Sequence, residues 1–193
     1  MITRYGDHKG ACEMIFSYGF LDATVQSAKE LFLDLQVSED DPLGLAKLRV
    51  STVAPGVKLT CKGGSVEWHS DFVWLVCINE EDGLAFQVLQ TNDGGRELRS
   101  TWKNTELRDT SILRELLAQD PLWEVYQLRA VVLIQQRVAE QLQLLSETSN
   151  VESFEYGDDK AIRKGPRNLA LRLRELESKL LERSYGRLEE QVR

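Results

Sequence analysis

The spacing of apolar residues changes period along this 193-residue chain, and that change most narrows what it can fold into. Between about residues 57 and 103 the apolar runs are short and end at turn residues. Val57-Lys58-Leu59-Thr60-Cys61 and Val66-Glu67-Trp68 flank Gly63-Gly64, and both read as strands. Leu84, Phe86 and Val88 alternate with Ala85, Gln87 and Leu89. Asn92-Asp93-Gly94-Gly95 then turns the chain into a return strand ending near Trp102. After about residue 110 the period becomes helical. Ser111 caps a short helix through Leu117, and Asp120-Pro121 reads as a cap followed by proline in the first turn. Leu122, Val125, Leu128, Val132, Ala139, Leu142 and Leu145 hold helical spacing. Beyond a polar linker at 150–157, Gly165-Pro166 opens a last helix with Leu169, Leu173, Leu176 and Leu180 along one seam. Strands followed by helices, rather than alternating with them, predict an α+β chain: a small antiparallel β-meander at about 57–103, then helices at about 110–193.

The first third carries two further expectations. Met14-Ile15-Phe16, between Gly10 and Gly19, reads as a short strand within 11–18. Val25, Ala28, Leu31, Phe32 and Leu35 follow one helical face, which predicts a helix over about 23–36 capped by Asp22. The acidic stretch Ser38-Glu39-Asp40-Asp41-Pro42 stops it and marks a boundary between residues 1–45 and 46–193. The run from Phe72 to Ile78 suits a strand buried on both faces, or a buried helix; its shortness and its aromatic and β-branched content favour strand.

Charge and cysteine usage exclude several functions. Asp and Glu number 31 against 24 Lys and Arg, a formal net charge of -7 that repels phosphate and argues against nucleic acid as a partner. From Lys160 onward ten basic residues meet five acidic ones, which makes the tail a solvated helix face or a surface for an acidic partner. No apolar run approaches the roughly 20 residues that cross a bilayer, so no membrane association is expected. Cys12, Cys61 and Cys77 are odd in number and widely spaced, which suits a reducing, intracellular compartment, cytoplasmic or nuclear.

Familiar catalytic spacings are missing. His8 and His69 share no ligand spacing with a cysteine, so no metal is expected, and His69 beside Trp68 and Asp71 reads as a surface or hairpin histidine. Gly63-Gly64 and Gly94-Gly95 lack the context of a phosphate cradle. Glu80-Glu81-Asp82 reads as a solvated acidic turn.

One segment points to chemistry. Gly10-Ala11-Cys12-Glu13-Met14-Ile15-Phe16-Ser17-Tyr18-Gly19-Phe20 resembles the C-terminal end of a SET domain, most of all the Rubisco-methyltransferase-like branch. The helix expected at 23–36 and the acidic Asp40-Asp41-Pro42 extend the resemblance over about 45 residues. The resemblance implies a C-terminal remnant of a SET β-fold over residues 1–45, followed by a substrate-binding-like region. It implies methyl transfer from S-adenosylmethionine to a lysine of a protein substrate. Tyr18 would then be the catalytic residue, because a phenol hydroxyl can both donate and accept beside the reacting methyl and amine. Phe16, Ser17 and Phe20 would line the lysine channel, with Phe16 alternatively a core residue. The family's Asn-His cofactor motif occurs nowhere in the chain, and only nine residues precede Gly10. The expectation is therefore an enzyme lacking the half that binds its cofactor, or a non-catalytic interaction module of the same ancestry that holds a partner protein. On either reading the 193 residues alone are expected not to bind S-adenosylmethionine detectably, because one wall cannot enclose it.

Overall fold

A computed structural model describes residues 10–21, 24–91, 93–148 and 164–192. It is mixed α and β, with two small antiparallel sheets and a helical C-terminal region. In chain order the elements are α1 (Ala11–Tyr18), β1 (Glu30–Asp34), α2 (Gly44–Val50), β2 (Gly56–Lys62), β3 (Ser65–His69) and α3 (Phe72–Val76). There follow β4 (Leu84–Gln90), β5 (Arg96–Trp102), β6 (Thr105–Glu106), a 3-10 turn (Thr110–Ile112), α4 (Leu113–Ala118), α5 (Trp123–Glu147) and α6 (Lys164–Val192). The linker expected at 150–157 lies outside the described residues.

Both hairpins stand where the turn glycines put them. β2 and β3 meet at Gly63 and Gly64, which take φ of 58° and 88°, a left-handed turn that glycine enters without steric cost. β4 pairs antiparallel with β5, Leu84 opposite Trp102 and Gln90 opposite Arg96. The expected single meander is nevertheless two sheets, β1-β2-β3 and β4-β5-β6, separated by α3.

Three expectations in the first eighty residues are corrected. Residues 11–18 form a helix, not a strand. Ala11, Met14, Ile15 and Tyr18 stand at i, i+3, i+4 and i+7, and Ala11 is buried with Met14 and Ile15 half-buried, so the pattern is that of an amphipathic helix. The helix expected over 23–36 is instead the strand β1. Leu31, Leu33 and Leu35 also alternate with Phe32 and Asp34, and Leu33 and Leu35 are the two buried ones. A place beside β2 decides between the two periods. The run beginning at Phe72 is the helix α3, not a strand. The Ser70 hydroxyl accepts from the Val73 amide at 3.0 Å and donates to the Gly56 carbonyl at 2.8 Å, so it caps α3 from three residues away.

The chain divides into two compact units. The first comprises the described residues of Met1–Phe32, Lys58–Trp68 and Gln135–Glu190. Its buried residues include Ala28, Leu59, Val138, Leu176, Leu180, Leu181 and Leu188. Arg172 donates to the Val25 carbonyl at 2.9 Å and so ties α6 to the segment before β1. The expected seam on α6 is buried at Leu176 and Leu180, while Leu169 and Leu173 are half-buried.

The second unit comprises the described residues of Leu33–Val57, His69–Ile134 and Gln191–Arg193. All of Phe72, Val73, Trp74 and Leu75 are buried in it, with Leu84, Trp102, Leu113, Leu117, Tyr126 and Ile134. Trp74 and Trp123 stack at 5.1 Å between ring centroids. The helix α5 begins at Trp123, two residues later than proline at the first helical position requires, and Asp120 accepts from the Leu122 amide at 3.0 Å ahead of it. Similarly, Asp109 rather than Ser111 caps the 3-10 turn, accepting from the Ser111 amide at 2.9 Å. No helix among the described residues is long and apolar enough to cross a membrane.

Candidate functional site

The segment singled out in the sequence is built on α1 and its C-terminal turn. Gly10 precedes the helix with extended backbone, and a Cβ there would come within 2.7 Å of the Glu30 side chain. The Ala11 amide donates to the Ala28 carbonyl at 3.2 Å, which anchors the helix start. The helix ends at Gly19, with φ of 71° and its amide donating to the Ile15 carbonyl at 2.8 Å. That left-handed residue reverses the chain and brings Phe20 back toward Tyr18. The two rings lie 6.3 Å apart at 47°.

Of the four residues named from the sequence, the fold brings together Tyr18 and Phe20. Both rings are a little over one third exposed. Ser17 is exposed on the same turn. Phe16 is 92% exposed, so the expectation that it belongs to the core is wrong. It shares the outer face of α1 with Cys12, one turn earlier and also exposed. The helical conformation explains this: a strand would alternate Phe16 with its neighbours, whereas the helix turns it away from Ala11 and Ile15.

A buried electrostatic site in the second unit has no local signal in the sequence. Lys47 on α2 is 1% exposed. Its ammonium pairs with Asp41 at 2.6 Å and donates to the Ile78 carbonyl at 2.7 Å and the Val76 carbonyl at 3.4 Å. Three acceptors suit the three donors of an ammonium, which is what allows a charge to be buried there. Across the same loop Arg129 pairs with Asp82 at 2.7 Å and reaches the Cys77 carbonyl at 3.4 Å. Asp82 is 8% exposed and also accepts from the Asn79 amide at 2.9 Å. It is therefore not part of a solvated acidic turn; only Glu80 and Glu81 are. Two cations thus bind the carbonyls of Val76, Cys77 and Ile78 at the end of α3, where a helix C-terminus presents partial negative charge. Lys47 is thereby closed to any ligand, while Arg129 keeps an exposed side, and the two together lock the loop 76–82. Burial pushes the Cys77 thiol up to about 12, so it is not a nucleophile near neutral pH.

A third cluster surrounds Tyr126. Lys103 pairs with Asp120, and hydrogen bonds from Lys103 and the Leu122 amide hold the Asp120 carboxyl below the usual carboxylate range. Burial raises the Tyr126 phenol. A half-open groove of about 430 Å³ lies elsewhere in this unit, lined by Arg49, Arg99 and Arg108 with Glu97 and Glu106. Arg99 lies 3.5 Å from Glu97 and 3.8 Å from Glu106, and Arg108 lies 3.1 Å from Glu106, so most of its charge is internally compensated. His69 is 76% exposed, 3.8 Å from Asp71. Among the described residues no group of three or more His, Cys, Asp or Glu side chains is arranged to hold a metal ion.

Comparison with known proteins adds a relationship that the geometry alone does not supply. Over 155 residues the chain is 30% identical to SET domain-containing protein 8 of Schizosaccharomyces pombe. The match covers 78% of this chain and 34% of that protein, so the chain spans about a third of the length of the curated relative it matches. No family model and no solved structure matches. The similarity supports a relationship between this chain and the SET-domain proteins.

Proposed function

We propose that this chain is the C-terminal part of a SET-type protein-lysine methyltransferase of the Rubisco-methyltransferase-like branch. Residues 1–45 belong to the SET domain on this reading, and residues 46–193 recognise the protein substrate. The protein acts inside the cell, in cytoplasm or nucleus. The observation that carries the proposal is the similarity to the fission-yeast SET protein over 155 residues. The Ser17-Tyr18-Gly19 turn, with Phe20 folded back on Tyr18, gives it a local centre. S-adenosylmethionine supplies the methyl group in such enzymes. Phe16, Ser17, Tyr18 and Phe20 are all exposed and do not by themselves enclose it. What these residues offer is an aromatic pair beside a phenol hydroxyl that can donate and accept, the equipment for orienting an amine.

The same exposure favours a second reading, a non-catalytic protein-interaction module derived from a SET protein. One experiment separates them. The chain is joined to the portion of the fission-yeast relative that the similarity does not cover, and methyl transfer to protein lysine is measured. Activity that falls roughly 10²-fold in turnover on Tyr18→Phe, with Michaelis constants little changed, is the expected result. Absence of transfer with intact cofactor binding favours the interaction module. Near-normal turnover on Tyr18→Phe removes Tyr18 from the chemistry.

A further inference from the structure

The start of α5, together with Leu122 just ahead of it, has two apolar faces. Tyr126, Ala130, Val131 and Ile134 are buried on one of them. On the other, Leu122, Val125, Leu128 and Val132 are 48%, 41%, 46% and 43% exposed. Spacings of three and four residues set these side chains in one stripe. Apolar residues exposed singly need no explanation. Four in a row leave roughly 300 Å² of apolar surface in one stripe, comparable to the largest patch on a typical monomer, which is often functional. The stripe is also the set of residues whose periodicity predicts a buried face, so the chain spends its clearest helical pattern on solvent.

The residue types say what covers it. Val125, Leu128 and Val132 occupy the a, d and a positions of a heptad, and the same spacing continues in sequence through Gln135, Ala139 and Leu142. Valine at a with leucine at d is the combination that favours two parallel helices. The flanking charges agree. Glu124 precedes the first a position and Arg129 follows the first d position. In a parallel pair these two sites face each other across the seam, so the contact forms twice under two-fold symmetry. Arg129 is able to make it: among the described residues its hydrogen bonds, to Asp82 and the Cys77 carbonyl, use Nη1 alone, its guanidinium lies 6.0 Å from the Tyr126 ring, and the side chain is 43% exposed. Its other guanidinium donors are available.

We infer that the Leu122–Val132 stripe of α5 packs in parallel against the same stripe of a second copy of this chain, with Glu124 of each copy paired to Arg129 of the partner subunit. The apolar area lies well below the ~800 Å² per partner of a stable interface, so the dimer is weak and depends on concentration. None of these residues takes part in the proposed methyl transfer, and the inference stands or falls independently of it.

Sedimentation velocity on the full chain over a wide concentration range tests this. The mean mass should climb from 22.0 kDa toward twice that value as concentration rises. Leu128→Glu and Val132→Glu should each weaken association tenfold or more, and Glu124→Lys should weaken it several-fold; circular dichroism melts confirm that the exposed substitutions leave the fold intact. As a second measurement, Leu128→Cys in a Cys12→Ser, Cys61→Ser background should cross-link into a dimer on oxidation, while Gln127→Cys, off the seam, should not. A chain that stays monomeric throughout overturns the inference, including one whose stripe is taken by a different protein. So does an association that Leu128→Glu leaves untouched. Indifference to Glu124→Lys overturns the parallel pairing.

Discussion

Lys47 shows how a lysine with no local sequence signal becomes a fixed part of the interior. It is buried because Asp41 and the carbonyls of Val76 and Ile78, at the end of α3, satisfy its ammonium together. Asp41→Ala leaves that charge without its counter-ion and should cost about 3 kcal/mol, read as a lower urea midpoint. Lys47→Met removes the charge at similar volume and should cost less than Asp41→Ala; the reverse order would mean that the pair contributes packing rather than charge compensation. Asp120 makes a prediction in pH. Its carboxyl is held below the ordinary value of 3.8 by the hydrogen bonds from Lys103 and the Leu122 amide. The folded state therefore binds a proton less readily than the unfolded one. The stabilisation is present above the unfolded pKa and is lost as pH falls through the folded one, in the window below about pH 4. Asp120→Asn should flatten the fall in stability across that window, and an unchanged acid limb would show that the ion pair contributes nothing.

Among elements, α1 carries the clearest lesson. Eight residues make a marginal helix on their own, so its two ends matter. Gly19 holds a φ of 71° with open space around its α-carbon, so a methyl group there meets no neighbour and the penalty is conformational alone. Gly19→Ala should cost about 1 kcal/mol in denaturant unfolding, and a neutral result would mean that the helix end rearranges freely. The hairpins were legible because glycine turns at 63–64 and 94–95 leave few alternatives for the strands beside them. β1 and α3 were not. Leu31 to Leu35 satisfies both periods at once, and the seven-residue apolar run from Phe72 to Ile78 is too short for its period to be told. Ser70, three residues before Val73, was the available signal for α3, since a capping hydroxyl has no purpose ahead of a strand.

For the whole molecule, buried side chains are concentrated away from α1. Leu75, Leu84, Leu113, Leu117, Tyr126 and Ile134 are fully buried, whereas α1 buries only Ala11. Amide exchange should be slowest in α4, the first half of α5 and the inner positions of β4 and β5, and fast along α1. Equal protection in the two regions would contradict the distribution of the core. The residues offered for chemistry therefore stand on the least buried helix of the described chain's first third, a setting in which groups can meet a ligand but cannot surround one.

From its sequence the chain could be read as α+β, with glycine-turned hairpins in the middle and long helices at the end. Those signals act within a few residues of themselves: a turn that needs positive φ, or an apolar spacing sustained over many turns. The sequence also carried the resemblance at residues 10–20. Tertiary structure alone decided which side of each amphipathic element faces inward. Burial depends on what lies opposite, and a helix such as α5 with two apolar faces cannot settle that locally. It likewise decided that Leu31–Leu35 is a strand, because only the neighbouring β2 supplies hydrogen bonds along its edge. Lys47 and Asp82 lie inside for the same reason: their partners arrive from 31 and 47 residues away, beyond the reach of any local pattern.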